Sequence, residues 1–178
     1  MSDQTINGIP VADCKALVET VAEDRSEGHT TWHSVTEWNG GFECESRIRE
    51  HTMQMDEPEE LGGTDEAPNM VENVLAAYGS CLTVGYSLNA SVRGISINDL
   101  RVEVEGALDL AGFFGIDDEV PAGFWKIDAT GYLDAEADEE ELQALHEQVL
   151  ATSPVGSILT RPLDVETALK TEKAPAEK

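Results

Sequence analysis

The stretch Ala67–Ile95, APNMVENVLAAYGSCLTVGYSLNASVRGI, constrains this chain more than any other. Pro68 and Asn69 form a helix-start signal, and Arg93-Gly94 places a cation in the last turn and a glycine at the C-terminal cap. No proline falls between these ends, so the pattern predicts one long helix. Val71, Val74, Leu75, Ala77, Tyr78, Cys81, Leu82, Val84 and Leu88 spread around most of its circumference, which predicts a largely buried helix. Ala76, Ala77, Gly79, Ser80 and Gly85 are small enough to let another backbone approach. Cys81 sits mid-helix, with Ala77 and Gly85 one turn to either side on its own face. Two readings stand for it. A thiol on a rigid helix with space around it is a positioned reactive group, yet free cysteine is also a residue type that simply packs. The reactive reading requires a nearby cation to favour the thiolate.

With 178 residues, the chain is long enough for a single domain, 1–178, in which 1–28 reads as an N-terminal helical extension. Its formal charge is −25, from 11 basic and 36 acidic residues. Such a surface repels nucleic acid and anionic membrane, so neither is an expected partner. The carboxylates are scattered instead of gathered into a tail, which suits a halophilic protein in multimolar salt. There, screening over about 3 Å makes the self-repulsion tolerable. Cys14, Cys44 and Cys81 form an odd set without a CxxC, which argues against a disulfide framework or a structural zinc site. The absence of a basic, apolar leader and of a membrane-length apolar run predicts a cytoplasmic location.

In chain order, Pro10–Asp24 reads as a helix whose stripe Val11, Cys14, Val18 and Val21 makes Cys14 a core residue. His29–Trp38 reads as a strand, Asn39-Gly40-Gly41 as a hairpin turn, and the segment from Phe42 as a second strand. There Phe42, Cys44, Ser46 and Ile48 share the more apolar face, opposite Glu43, Glu45, Arg47 and Arg49. A third strand is expected over Thr52–Met55, with Met53 and Met55 as packing residues. Asp56–Asp65 is an acidic loop around Gly62-Gly63, too rich in carboxylates to cradle a phosphate. Beyond the long helix, strands are expected over Leu100–Leu110 and Trp125–Leu133, separated by a loop carrying Phe113, Phe114 and Ile116. Asp138–Ala151 is an amphipathic helix with Leu142, Leu145, Val149 and Leu150 on one side. Ser153-Pro154 opens a short helix, Leu163–Leu169 closes the fold as a strand, and Thr171–Lys178 is an aperiodic polar tail expected to be disordered. Runs of strands with helices on one face make the class α+β.

Several motifs in this order resemble those of the superfamily of osmotically induced protein C (OsmC) and the organic hydroperoxide resistance proteins. They are Trp38-Asn39-Gly40-Gly41-Phe42, Asp56-Glu57-Pro58 with Leu61-Gly62-Gly63, Ala67-Pro68-Asn69 with Glu72, and Ala76-Ala77-Tyr78-Gly79-Ser80-Cys81. The likeness continues through Arg93-Gly94-Ile95, Val102-Glu103-Val104-Glu105-Gly106 and Ser153-Pro154-Val155, spanning about residues 29 to 170. It implies an OsmC-like fold with strands wrapped on a long central helix, in an intertwined homodimer. It also implies active sites near the subunit interface, where a helix cysteine reduces organic hydroperoxides and an arginine from the early strands supports the thiolate. By position that arginine is Arg49, with Arg47 second; the alternative for both is a solvated strand face paired with Glu43 and Glu45.

Two departures bear on activity. Ser153 stands where the resemblance places a second cysteine, and a hydroxyl cannot form a disulfide, so turnover needs an external thiol or Cys81 of a second molecule. The carboxylate expected ten residues before the helix cysteine is replaced by Val71, and Glu72 lies nine before it. At about 100° per residue Glu72 faces away from Cys81, where it can instead cap the helix start. The candidate catalytic set is thus Cys81, Arg49, Glu72 and Ser153, with no metal and no cofactor beyond an external thiol. The expected function is one-cysteine hydroperoxide reduction in stress defence, with a homodimer and a small hydroperoxide as partners. The alternatives are a non-catalytic member binding a small apolar or electrophilic ligand at the dimer cleft, and a purely structural stress protein.

Overall fold

A computed structural model describes residues 5–172, so the tail expected over Thr171–Lys178 falls, beyond residue 172, outside the described residues. The order is β1 (Thr5–Ile6), β2 (Ile9–Pro10), α1 (Val11–Glu23), β3 (Val35–Gly40), β4 (Glu43–Ile48), β5 (His51–Met55) and α2 (Met70–Arg93). There follow β6 (Ile97–Ala107), α3 (Leu110–Phe113), β7 (Lys126–Ala135), α4 (Glu139–Thr152) and α5 (Pro154–Thr160). The strands make three antiparallel sheets: β1-β2, β3-β4-β5 and β6-β7. The class is α+β, as expected.

Helix α2 has both of its ends built by local chemistry. Asn69 Oδ1 accepts the Glu72 N–H at 2.9 Å while Glu72 Oε2 accepts the Asn69 N–H at 2.8 Å, a reciprocal capping box. Gly94 takes a left-handed φ of 80°, and Ile95 N–H then bonds back to the Ala90 carbonyl at 2.9 Å. The core gathers on one flank of α2: Leu82, Tyr86 and Ala90 meet Ile95 beyond its end and Leu145 and Val149 of α4. Leu100, Val102 and Leu133 of the β6-β7 ribbon pack against this cluster. Gly85 makes the α2–α4 approach possible, since a Cβ there would lie 2.9 Å from Val149 Cγ1.

The burial expected all around α2 is not found. Val84 is 62% exposed, and Val71 and Val74 are exposed as well. The β6-β7 ribbon, α4 and the start of α5 pack along α2, with α1 and the β1-β2 hairpin touching it as well, yet together they leave part of the cylinder uncovered among the described residues. Similarly, α1 forms at the expected place but buries none of its residues; Cys14 is half-buried, not core. On α4, Leu145 and Val149 are buried but Leu150 is exposed.

Sheet β3-β4-β5 reproduces the expected alternation. Cys44 pairs with Met55 and Ser46 with Met53 on one face, while Arg47 meets Glu37 at 3.3 Å on the other. Met53 is nevertheless exposed, so only Met55 packs. The first strand is shorter than expected, as residues 29–34 lie outside it. Leu163–Leu169 does not form a strand, and Leu163, Val165 and Leu169 are exposed. Alternation suits that segment to a sheet, but it finds no edge to pair with among the described residues. The β1-β2 hairpin was not expected, although its turn is an Asn-Gly pair, with φ of 52° at Asn7 and 77° at Gly8. Asn7 ties it to the end of α2, donating to Ser91 Oγ and the Ile95 carbonyl, each at 3.0 Å. No helix among the described residues is long and apolar enough to cross a membrane.

A candidate active site around Cys81

Cys81 is half-buried at the middle of α2, on the side where α4 hands over to α5. A cleft of about 600 Å³ opens there, lined chiefly by Cys81, Val84, Leu88, Val149, Ser153 and Pro154. None of its lining residues is charged, in a chain of net charge −25. Ser153 is the junction residue of the two helices. It is 6% exposed, its Oγ accepts the Gly156 N–H at 3.0 Å as the N-cap of α5, and Pro154 occupies the first helical position. The same Oγ lies 3.3 Å from Cys81 Sγ. Residues 72 positions apart are thereby brought into contact.

The other candidate residues are not brought to the cleft within one chain. Glu72 is exposed and occupied by the capping box, as the helical phase implied. Arg47 remains on the β4 face, where it pairs with Glu37 of β3. Arg49 does not continue that face. It begins the two-residue turn between β4 and β5 with a left-handed φ of 57°, a conformation that costs a non-glycine residue about 1–3 kcal/mol. Neither arginine lines the Cys81 cleft.

A second group of residues was legible only as an acidic loop. Asp56 and Glu57 are in fact buried, at 1% and 7% exposure. Asp56 Oδ2 accepts from Thr64 Oγ1 at 2.7 Å, Thr64 N at 2.9 Å and Glu66 N at 3.3 Å, while Oδ1 has no partner among the described residues. Glu57 accepts from Asn69 Nδ2 at 3.2 Å, which links this loop to the cap of α2. Gly63 closes the loop, since a Cβ there would fall 1.8 Å from the Glu57 carbonyl oxygen. The signal in the sequence was the pairing of Asp56-Glu57 with Gly62-Gly63, which fits a loop wrapped on its own carboxylates.

The Thr64 hydroxyl, aided by backbone N–H groups and opposed by burial, lowers the Asp56 carboxyl from 3.8 to about 2. A carboxylate depressed in the folded state stabilises it fully above the unfolded value of about 4, and that contribution is lost as pH falls through about 2. Asp56→Asn is therefore expected to lower the urea midpoint at neutral pH and to flatten its dependence between about pH 4 and pH 2. Parallel acid limbs for the two proteins would exclude this role.

A family model for OsmC-like proteins matches residues 63–168. No curated protein is significantly similar in sequence. Among solved structures, an OsmC-like protein from Mycoplasma pneumoniae superposes with a TM-score of 0.63 at 15% identity, over 73% of this chain and 87% of that one. An organic hydroperoxide resistance protein OsmC from Legionella pneumophila gives 0.55 at 19% identity, over 74% and 92%. An organic hydroperoxide resistance protein from Elizabethkingia anophelis gives 0.55 at 17%, over 74% and 89%. At these identities the structures speak to the fold, whereas the family match is one of sequence and spans the segment from α2 through α5. Matched by the family model over more than half of its length and alike in architecture, this chain belongs to the OsmC-like protein family.

Proposed function

We propose that this protein is a thiol-dependent hydroperoxide reductase of stress defence that uses Cys81 as its single redox cysteine. The observation that carries the reading is the placement of Cys81 Sγ at an uncharged, largely apolar cleft, in hydrogen-bond contact with a buried hydroxyl. An organic hydroperoxide suits such a cleft better than a charged metabolite. The thiolate attacks the terminal peroxide oxygen, the O–O bond breaks, and the departing alkoxide takes up a proton as the alcohol. Cysteine sulfenic acid remains. An external thiol then condenses with it, releasing water, and a second thiol displaces the mixed disulfide and restores Cys81. The names of the Legionella and Elizabethkingia relatives agree with this reading. An equimolar organic hydroperoxide should yield one alcohol per chain and a dimedone adduct on Cys81. Adducts divided equally among Cys14, Cys44 and Cys81 would instead favour the reading of Cys81 as a packing residue in a ligand-binding protein.

A homodimer completes this site. The uncovered flank of α2 and the exposed apolar side chains of β3-β4-β5, Trp38 and Met53 among them, supply surfaces for it. In the dimer Arg49 reaches the Cys81 of the partner subunit. Its left-handed backbone supports a functional reason for the residue, because glycine would relieve the strain. Arg49→Gly should accordingly raise stability by up to about 1 kcal/mol while slowing alkylation of Cys81. Sedimentation in multimolar salt should give about twice the mass of one chain. A monomer, or an Arg49→Gly protein with undiminished Cys81 reactivity, would remove Arg49 from the site.

A further inference from the structure

We propose that the Ser153 hydroxyl is a fixed hydrogen-bond donor to the Cys81 sulfur, a positioning residue that holds the thiolate in the cleft. This rests on the reading of Cys81 as the nucleophile, and it follows from donor and acceptor counting. A serine hydroxyl has one hydrogen to give and two lone pairs to receive with. An amide N–H can only donate, so the 3.0 Å contact from Gly156 N uses a lone pair of Ser153 Oγ and leaves its hydrogen free. Ser153 is buried, and a buried donor left unpaired is costly. Among the described residues the only acceptor within reach is Cys81 Sγ, at 3.3 Å. The reverse arrangement, with the thiol hydrogen on Ser153 Oγ, would strand the hydroxyl hydrogen in the interior. The bond therefore runs from oxygen to sulfur, and it strengthens when the sulfur is negative.

The hydroxyl is also hemmed in. A Cβ on Gly156 would lie 2.9 Å from Ser153 Oγ and 3.2 Å from Tyr78 Cε2, so little free space remains on the α5 side. Serine at this position thus does something a second cysteine would not. It cannot be consumed in a disulfide, and its donated hydrogen stays available to the sulfur in every round of the chemistry.

The test is alkylation of the full-length protein by iodoacetamide at neutral pH in high salt, with Cys14 and Cys44 as internal standards. Glycine is the N-cap substitute that disturbs a helix start least, so Ser153→Gly removes the hydroxyl and largely keeps α5. Alkylation of Cys81 is expected to slow about tenfold in Ser153→Gly, the loss expected for one hydrogen bond to a charged group, with the other two rates unchanged. Ser153→Thr, which restores a hydroxyl, should recover most of the rate. Should the glycine variant not fold, Ser153→Ala serves in the same comparison. A Cys81 rate undiminished without the hydroxyl, or equally slow with threonine, overturns the inference. Alkylation involves no peroxide, so a hydroxyl-dependent rate without alcohol formation would sink the reductase reading and leave this one standing.

Discussion

Cys81→Ser is expected to abolish hydroperoxide turnover with a dithiol, by about a thousandfold or more, leaving only the uncatalysed background reaction. Serine fits the same half-buried site on α2, so the fold should survive. Its hydroxyl is a weak nucleophile at neutral pH and has no sulfenic acid to form, so the first step is lost entirely. Cys14 lies on α1 and Cys44 on β4, and neither lines the Cys81 cleft; Cys14→Ser and Cys44→Ser should keep near-wild-type rates. Consumption of hydroperoxide and dithiol oxidation measure this directly. Activity in Cys81→Ser comparable to wild type would move the chemistry away from α2 altogether.

Ser153→Cys should change the end point of oxidation instead of abolishing it. In the wild type, peroxide in the absence of external thiol leaves Cys81 as sulfenic acid, which advances to sulfinic acid. In Ser153→Cys the introduced thiol attacks that sulfenic acid, water leaves, and an intrachain disulfide forms. The observed Cys81 Sγ to Ser153 Oγ separation is 3.3 Å. A disulfide needs about 2.05 Å between sulfurs, so the closure amounts to about 1 Å, within the reach of side-chain rotation at two helices already in contact. Sulfur also extends further from Cβ than oxygen does. Mass spectrometry should find a Cys81–residue 153 cross-link in the variant and a loss of two hydrogens. Overoxidised Cys81 beside a reduced introduced thiol would contradict the contact on which the site is built.

Ser153→Cys tests a neighbourhood that the family resemblance implies and whose separation the structure supplies. The limits of α2 were legible because caps act within four residues: Asn69 with Glu72 at one end, Gly94 at the other. The β3-β4 hairpin and the Pro154 helix start were legible for the same reason, although the hairpin turn falls at Gly41-Phe42, with Asn39 and Gly40 still in β3. Family resemblance singled out Cys81 as the candidate nucleophile, and the family match covers the segment from residue 63 through α5. Arg49 was misplaced because a strand's alternation gives no warning of a turn forced by the pairing of Ile48 with His51. Leu163–Leu169 was misread because a strand exists only if another edge accepts its hydrogen bonds. The burial of Asp56 and Glu57 was likewise invisible, since a carboxylate is read as solvated until Thr64 and Asn69 are seen to satisfy it. The sequence by itself determined α1, α2, α4 and α5, their approximate ends and the position of the thiol along α2, all of which depend on neighbours within a few residues, but not the short α3, which reads as a loop. The resemblance implied that Ser153 lies near Cys81, but tertiary structure decided the 3.3 Å contact itself, because it depends on how α4 packs across Gly85 and delivers the start of α5, an interaction between surfaces that no local pattern encodes.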